Sequence, residues 1–356
     1  MSGPLRVGVV GMGIGQLHLL SWLGVEGADA VAFAEPDDAR REKGAADWGL
    51  EAVRTLDELL ELDLDIIDLC TPPHLHEEQV IRCLEAGRHV ICEKPLVDSV
   101  EACERLEAAA AAATGTFMPI FQYRFGAGAQ KARALVEAGL TGPLYLATAE
   151  TTWRRGAGYY AEAPWRGTWA GERGGCVLSH AIHNHDLLQW IGGRFTSVHA
   201  RTAVRVNPVE TEDCAVATGS TADGALATLA VTLGAATEAS RLRWCFEHVT
   251  MESNHEAYDP AKEPWTFEFP DPEVAAAAEA LWADLPDQGR QYEGQFQLLV
   301  DGLATGAAPP VTLDDARASL ELVTAWYHSA RTGDPVALPL APDHPDRGSW
   351  LPPELR

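Results

Sequence analysis

Basic residues are in short supply in this chain. Lys and Arg number 27 against 52 Asp and Glu, a formal net charge of −25, and a surface of that sign repels a phosphate backbone or an anionic membrane. Neither nucleic acid nor membrane is expected as a partner. Cysteine is sparse and unpatterned. Cys70, Cys83, Cys92, Cys103, Cys176, Cys214 and Cys245 include no C-x-x-C pair, which argues against a zinc ribbon or a disulfide frame and for free thiols in a reducing compartment. No window offers 18 uninterrupted apolar residues, and MSGPLRVGVVGMG lacks the charged head and small-residue cleavage site of a secretory signal. A soluble, cytoplasmic protein is expected.

What is present suits two domains, since 356 residues exceed one ordinary core. LRVGVV, AVAFAE, LDIIDLC, RHVICE and FMPIF are short apolar runs separated by helix-like stretches. Strands that read as continuous apolar runs between amphipathic helices predict a doubly wound parallel sheet over residues 1–122. From 123 to 356 the pattern changes. A helix (GAQKARALVEAG), a strand (PLYLATAETTW) and a Gly- and Trp-rich loop lead to a histidine-rich helix, and then strand-like runs follow one another: SVHARTAVRV, CAVATGST, ALATLAVTL and SRLRWCFEHVTME. This predicts an α+β domain on a large mixed or antiparallel sheet, closed by helices near 287–304 and 312–331 and a Pro-rich tail that wraps the surface or packs back on the first domain. The β-branched and Ala-rich strands at 212–234 suit a homodimer or homotetramer.

VGVVGMGIGQLH follows a strand and opens a helix, the setting of a dinucleotide fingerprint. Gly11, Gly13 and Gly15, with Ile14 between them, form G-x-G-x-G, and Gln16 stands where a third glycine is usual. Glu35 ends the next strand, where a carboxylate accepts from ribose hydroxyls and repels a 2′-phosphate, favouring NAD over NADP. CTPPHLH and CEKPLVD each follow an apolar strand at the carboxyl edge of the sheet, where such folds bind ligands. Thr71, Pro72, His76, Glu93 and Lys94 are therefore placed with the cofactor. The Lys94 ammonium is the candidate for polarising a substrate oxygen.

GGCVLSHAIHNHDLLQW, residues 174–190, holds three histidines. On a helix over 178–191, Ser179, His183, Asp186 and Trp190 share a stripe with His180 on its shoulder, while His185 points away as a core residue. Asp186 and His183, three apart, lie close enough to interact, which suits a general base. H-x-x-H-x-x-D is not a known helical zinc pair, and no metal is expected. WRRGAGYYAEAPWRGTW, residues 153–169, supplies Trp153, Arg154, Tyr160 and Trp165, rings that stack on pyranose faces and arginines that fork onto hydroxyls. The alternative is a loop pinned by core aromatics.

The Gly11–Gly15 loop with His18, TPPHLH, AGRHVICEKPL, QYRF at 122–125 and GG…SHAIHNHD…W together resemble the glucose-fructose oxidoreductase and inositol dehydrogenase family, Gfo/Idh/MocA. The resemblance spans nearly the whole chain. It implies a Rossmann domain and an open-faced α/β domain, NAD(P)-dependent chemistry on sugar-like substrates, and a substrate-contacting lysine from EKP, here Lys94. It brings Tyr123 and Arg124 of QYRF into the substrate set. Members commonly show D-x-x-x-H; His183 matches the histidine, but Ser179 stands at the aspartate position, and His180 is the obvious substitute.

The resulting expectation is an NAD-dependent dehydrogenase of a secondary alcohol on a sugar, glycoside or cyclitol. Lys94 holds and acidifies the hydroxyl, and His183, with His180, takes its proton. Two alternatives stay open: an NAD-bound sugar sensor, favoured by Ser179, and a redox-assisted glycoside-cleaving enzyme.

Overall fold

The structure is a computed structural model describing residues 3–355. Two compact units divide the chain: residues up to Ile120 with Tyr292–Arg317, and Phe121–Gln291 with Ala318 onward.

In the first unit, β1 (Leu5–Val10), β2 (Ala28–Ala34), β3 (Glu51–Val53), β4 (Ile66–Leu69), β5 (His89–Cys92) and β6 (Phe117–Pro119) form one sheet in the order β3-β2-β1-β4-β5-β6. Every pairing is parallel. The order reverses between β1 and β4, the switch point where doubly wound folds bind their ligands. Between the strands lie α1 (Gly15–Trp22), α2 (Asp38–Trp48), α3 (Leu56–Leu60), α4 (His76–Glu85) and α5 (Val100–Ala112). Local chemistry sets the helix starts. Asp37, Thr55 and Ser99 each accept a backbone N–H of the first turn from the N-cap position. The short β3 and α3 lack the length that makes a periodic signal, and the sequence pattern did not separate them.

The second unit begins with α6 (Ala127–Glu137), β7 (Leu144–Arg154), α7 (Ala157–Ala161), α8 (Trp169–Glu172), α9 (Cys176–Ser179) and α10 (Ile182–Gly192). Strands β8 (Phe195–Ala203), β9 (Cys214–Thr221), β10 (Leu226–Thr232), β11 (Gly234–Phe246), β12 (Thr250–Glu252) and β13 (Thr266–Glu268) follow, then α11 (Pro272–Ala283). After α12 (Gln291–Thr305) and α13 (Leu313–Thr332), β14 (Val336–Ala337) joins the same sheet. The eight strands run β13-β12-β11-β7-β10-β9-β8-β14, antiparallel except for β7 beside β10, so the sheet is mixed as expected.

Three differences from the sequence pattern have local causes. The run 240–252 is a hairpin, β11 turning at Glu247 and His248 into β12. The strand expected to 206 ends at Ala203 because the Asp213 carboxylate takes the backbone N–H groups of Arg205, Val206 and Asn207. Helix α11 was not anticipated, although Asp271 caps it and Pro272 opens it.

Helix α12 belongs to the first unit beyond its first residue. Gln295 donates to the Pro119 carbonyl at 2.7 Å, and Phe296 stacks on Trp22 at 4.4 Å.

Candidate active site

The glycine loop divides its work in the way a nucleotide cradle requires. Gly11 has φ +92°, and a Cβ there would meet the Cys70 carbonyl oxygen at 2.7 Å, so the tight turn demands glycine. A Cβ on Gly15 would press on Val9 at 3.0 Å, where α1 closes on β1. Gly13 would meet nothing within 4 Å. Its glycine is not required by packing, and it leaves the backbone open to a pyrophosphate. Ile14 beside it is exposed. Glu35 is buried and accepts from the backbone N–H of Met12 and Asp37 and from Arg40 Nη2, each at 3.0 Å. An ionised carboxylate has about four acceptor positions. One therefore remains for a ribose hydroxyl beyond these three. The residues present fit a dinucleotide.

The other two turns are held at the same edge of the sheet. His76 is buried with its ring nitrogens 2.8 Å from the Thr71 carbonyl and 3.1 Å from those of Pro95 and Leu96. It staples the Thr71-Pro72 turn to the Lys94-Pro95 turn. Thr71 Oγ1 donates to Gln79. Glu93 Oε2 accepts the backbone N–H of Lys94 at 2.8 Å.

In the second unit the histidine segment is not one helix. α9 ends at Ser179, His180 adopts φ −117° and ψ −56°, and α10 starts at Ile182. The wheel linking Ser179 to His183 is therefore broken, because angular phase is lost across the two non-helical residues. His180 lies edge-on to Trp153 and tilted to Tyr159, each at 5.8 Å, while His183 packs on buried Tyr123 at 4.7 Å. His185 is a core residue, as expected. It stacks on Trp326 at 5.0 Å, and burial pushes its pKa down to about 3.

Asp186 pairs with Arg124, a partner the helical wheel does not show. Arg124 Nε and Nη2 donate to its two oxygens at 2.8 and 2.6 Å, with both side chains buried. A guanidinium taken from water demands such a carboxylate, so Arg124 is committed to this pair, and its ring neighbours are Phe121 and Trp190.

The aromatic loop shows a one-residue correction. Trp153 is buried on the inner side of β7, with its indole N–H donating to Ser240, while Arg154 is exposed on the opposite face. Arg155, unremarked in the sequence, joins the cluster instead. Its guanidinium lies 5.4 Å from the Trp153 ring, 5.1 Å from Tyr159 and 5.6 Å from Tyr258, and it donates to Tyr258 and Glu238. Strand alternation counted from Trp153 would have found it. Tyr160 meets Tyr159 edge-on at 5.1 Å, and Trp165 is exposed.

Sequence reasoning also missed the buried carboxylate behind the histidine segment. Glu212 accepts from Gly175 N–H, Val177 N–H and the Tyr327 hydroxyl, and burial pushes its pKa up to about 7. A Cβ on Gly175 would sit 2.0 Å from the Glu212 carbonyl oxygen. The glycine pair and the acid together set where α9 begins.

Comparison with known proteins identifies the family. Residues 5–121 match the Gfo/Idh/MocA oxidoreductase family with its NAD-binding Rossmann fold, and residues 129–252 match that family's C-terminal domain. An uncharacterized oxidoreductase of Streptococcus pneumoniae is 31% identical over 53% of this chain, and the match covers 50% of that relative's length. Inositol 2-dehydrogenase 1 of Saccharopolyspora erythraea is 26% identical over 95% of this chain and 97% of its own. The WlbA dehydrogenase of Bordetella pertussis, solved with NADH and UDP-GlcNAcA, superposes with a TM-score of 0.83 at 28% identity, covering 95% of this chain and all of the other.

Proposed function

Because the chain belongs to the Gfo/Idh/MocA oxidoreductase family, we propose that it is an NAD-dependent dehydrogenase oxidising a secondary alcohol of a sugar, glycoside or cyclitol. The observation that carries the reading is the Glu93-Lys94 turn at the carboxyl edge of the parallel sheet, stapled through His76 to the Thr71 turn and sharing that edge with the open glycine at 13.

NAD, when bound, accepts the hydride at its nicotinamide ring. Gly11, Gly13, Ile14 and Gly15 would hold its pyrophosphate, and Glu35 its adenosine ribose; Thr71, Pro72 and His76 frame the neighbouring turn. Lys94 would donate to the substrate hydroxyl and stabilise the developing alkoxide, and His183 would remove its proton. His180, between Trp153 and Tyr159, supplies a second imidazole where the family's aspartate is replaced by Ser179. Tyr123, Arg155, Tyr160 and Trp165 would contact the sugar, in keeping with the cyclitol and nucleotide-sugar ligands named for the relatives.

The test is NADH formation over a panel of sugars, glycosides and cyclitols. Lys94→Ala should abolish turnover while NAD binding stays within about twofold, and His183→Asn should lower kcat by about 100-fold or more. Undiminished turnover in Lys94→Ala removes the lysine from the mechanism. Ser179 favours the second reading, a sugar sensor; that protein would bind NAD and a sugar yet form no NADH with any of them.

We further place the enzyme in the cytoplasm, a reading supported by seven cysteines without a disulfide and by the lack of any helix among the described residues long and apolar enough to cross a membrane. A homodimer or homotetramer through the outer face of the mixed sheet is supported by exposed Tyr145, Leu146, Val216 and Leu226.

A further inference from the structure

A chain of buried polar groups runs beneath the Lys94 turn, and nothing in the mechanism above uses it. His18 on α1 is fully buried. Its Nδ1 lies 2.9 Å from both oxygens of Asp68 and 3.2 Å from Cys70 Sγ, and its Nε2 lies 3.0 Å from Glu93 Oε1. Further donors meet both carboxylates: Trp22 Nε1 to Asp68 at 2.9 Å, and the Tyr292 hydroxyl to Glu93 Oε1 at 2.8 Å. The far oxygen of Glu93 accepts the Lys94 backbone N–H.

His18, Asp68 and Cys70 also have the composition of a metal site. The distances argue against one. Ligand atoms around a tetrahedral ion at about 2.0–2.3 Å stand about 3.3 Å or more apart, whereas the imidazole here is already at hydrogen-bond distance from Asp68 and close to the thiol. An imidazole facing carboxylates through both nitrogens satisfies them only as the cation, because the neutral ring turns a lone pair on one of them. The charges agree. Burial alone pulls the His18 pKa down, but the Asp68 carboxylate and then Cys70 outweigh it and leave the group well above its ordinary value.

We propose that His18 is a positioning residue for Lys94: by bridging Asp68 and Glu93 it fixes the carboxylate that holds the Lys94 backbone. The inference rests on the role assigned to Lys94 above. An unbridged Glu93 would be a buried anion held by fewer donors, and it would turn toward water or toward the lysine's own ammonium. Either movement takes the Lys94 nitrogen off the substrate oxygen without touching the nucleotide cradle.

Two substitutions divide the bridge. In His18→Asn the amide replaces Nδ1, keeping a donor to Asp68 and removing the one that Nε2 gives Glu93; in His18→Gln the longer side chain reaches the Nε2 position and keeps a donor to Glu93. The expected result is a kcat lowered roughly 10- to 100-fold in His18→Asn, with NAD affinity within about twofold of wild type and a clear recovery of kcat in His18→Gln. Wild-type kcat in a folded His18→Asn overturns the proposal. So does a loss of rate in both variants that only tracks the loss of folded protein by thermal melting. Should His18→Asn not fold, Tyr292→Phe carries the test, since it removes one Glu93 donor and keeps the ring 4.3 Å from His18; lowered kcat with intact NAD affinity supports the proposal, and unchanged kcat overturns it. Lys94→Ala separates the two levels. If it retains full turnover, the reading of Lys94 falls and takes this inference with it; if it is inactive while His18→Asn is fully active, only this inference falls.

Discussion

Arg124 and Asp186 form a two-pronged ion pair in which both partners are buried. Breaking such a pair from one side leaves a buried charge uncompensated, which costs about 3–5 kcal/mol. Asp186→Asn and Arg124→Met should each lower the unfolding free energy measured in urea by that order, and Arg124→Met/Asp186→Leu should recover much of the loss. A double variant no more stable than the singles would mean that the pair is not what the site depends on.

Glu212 makes stability depend on pH in an unusual direction. Its carboxyl is pushed from 4.5 to about 7 by burial, so the folded state binds a proton that the unfolded state has released. Stability then falls as pH rises from about 4.5 to about 7, by on the order of 3 kcal/mol, with the full contribution present below the lower value. Glu212→Gln should flatten this limb in melting curves taken across that range. Equal slopes for variant and wild type would remove Glu212 as the cause.

Gly11 and Gly13 should fail for different reasons. Alanine at 11 needs a left-handed backbone and meets the Cys70 carbonyl, so Gly11→Ala should destabilise the first unit by about 1–3 kcal/mol. A Cβ added at 13 meets nothing within 4 Å. Gly13→Val should melt near wild type yet lose NAD binding by titration; unimpaired binding would place the pyrophosphate elsewhere.

Neighbouring arginines should behave oppositely. Arg155→Met removes a guanidinium from the rings of Trp153, Tyr159 and Tyr258, and the KM for the sugar should rise about tenfold or more. Arg154→Met acts on the exposed face of β7 and should leave KM within about twofold. A matching rise for both would show that the face of the strand is not what sorts them.

Much of the nucleotide half was readable in the residues. Apolar runs of LRVGVV, DIIDLC and HVICE imply strands covered on both sides, and a glycine at the strand-to-helix turn at 11 is a local demand of the backbone. The histidine segment was less readable, because the start of α9 is set by Glu212, 35 residues beyond Val177, gathering the N–H groups at 175 and 177. No helical period shows a capture of that kind.

The sequence by itself determined the order of elements, the parallel sheet and the turns that end its strands, since each of these depends on residues within a few positions of one another. Tertiary structure alone decided which charges meet. Arg124 finds Asp186 across 62 positions and His18 finds Glu93 across 75, because a buried charge must reach whatever opposite charge the packed chain brings beside it, and that cost is set by burial and not by spacing along the chain.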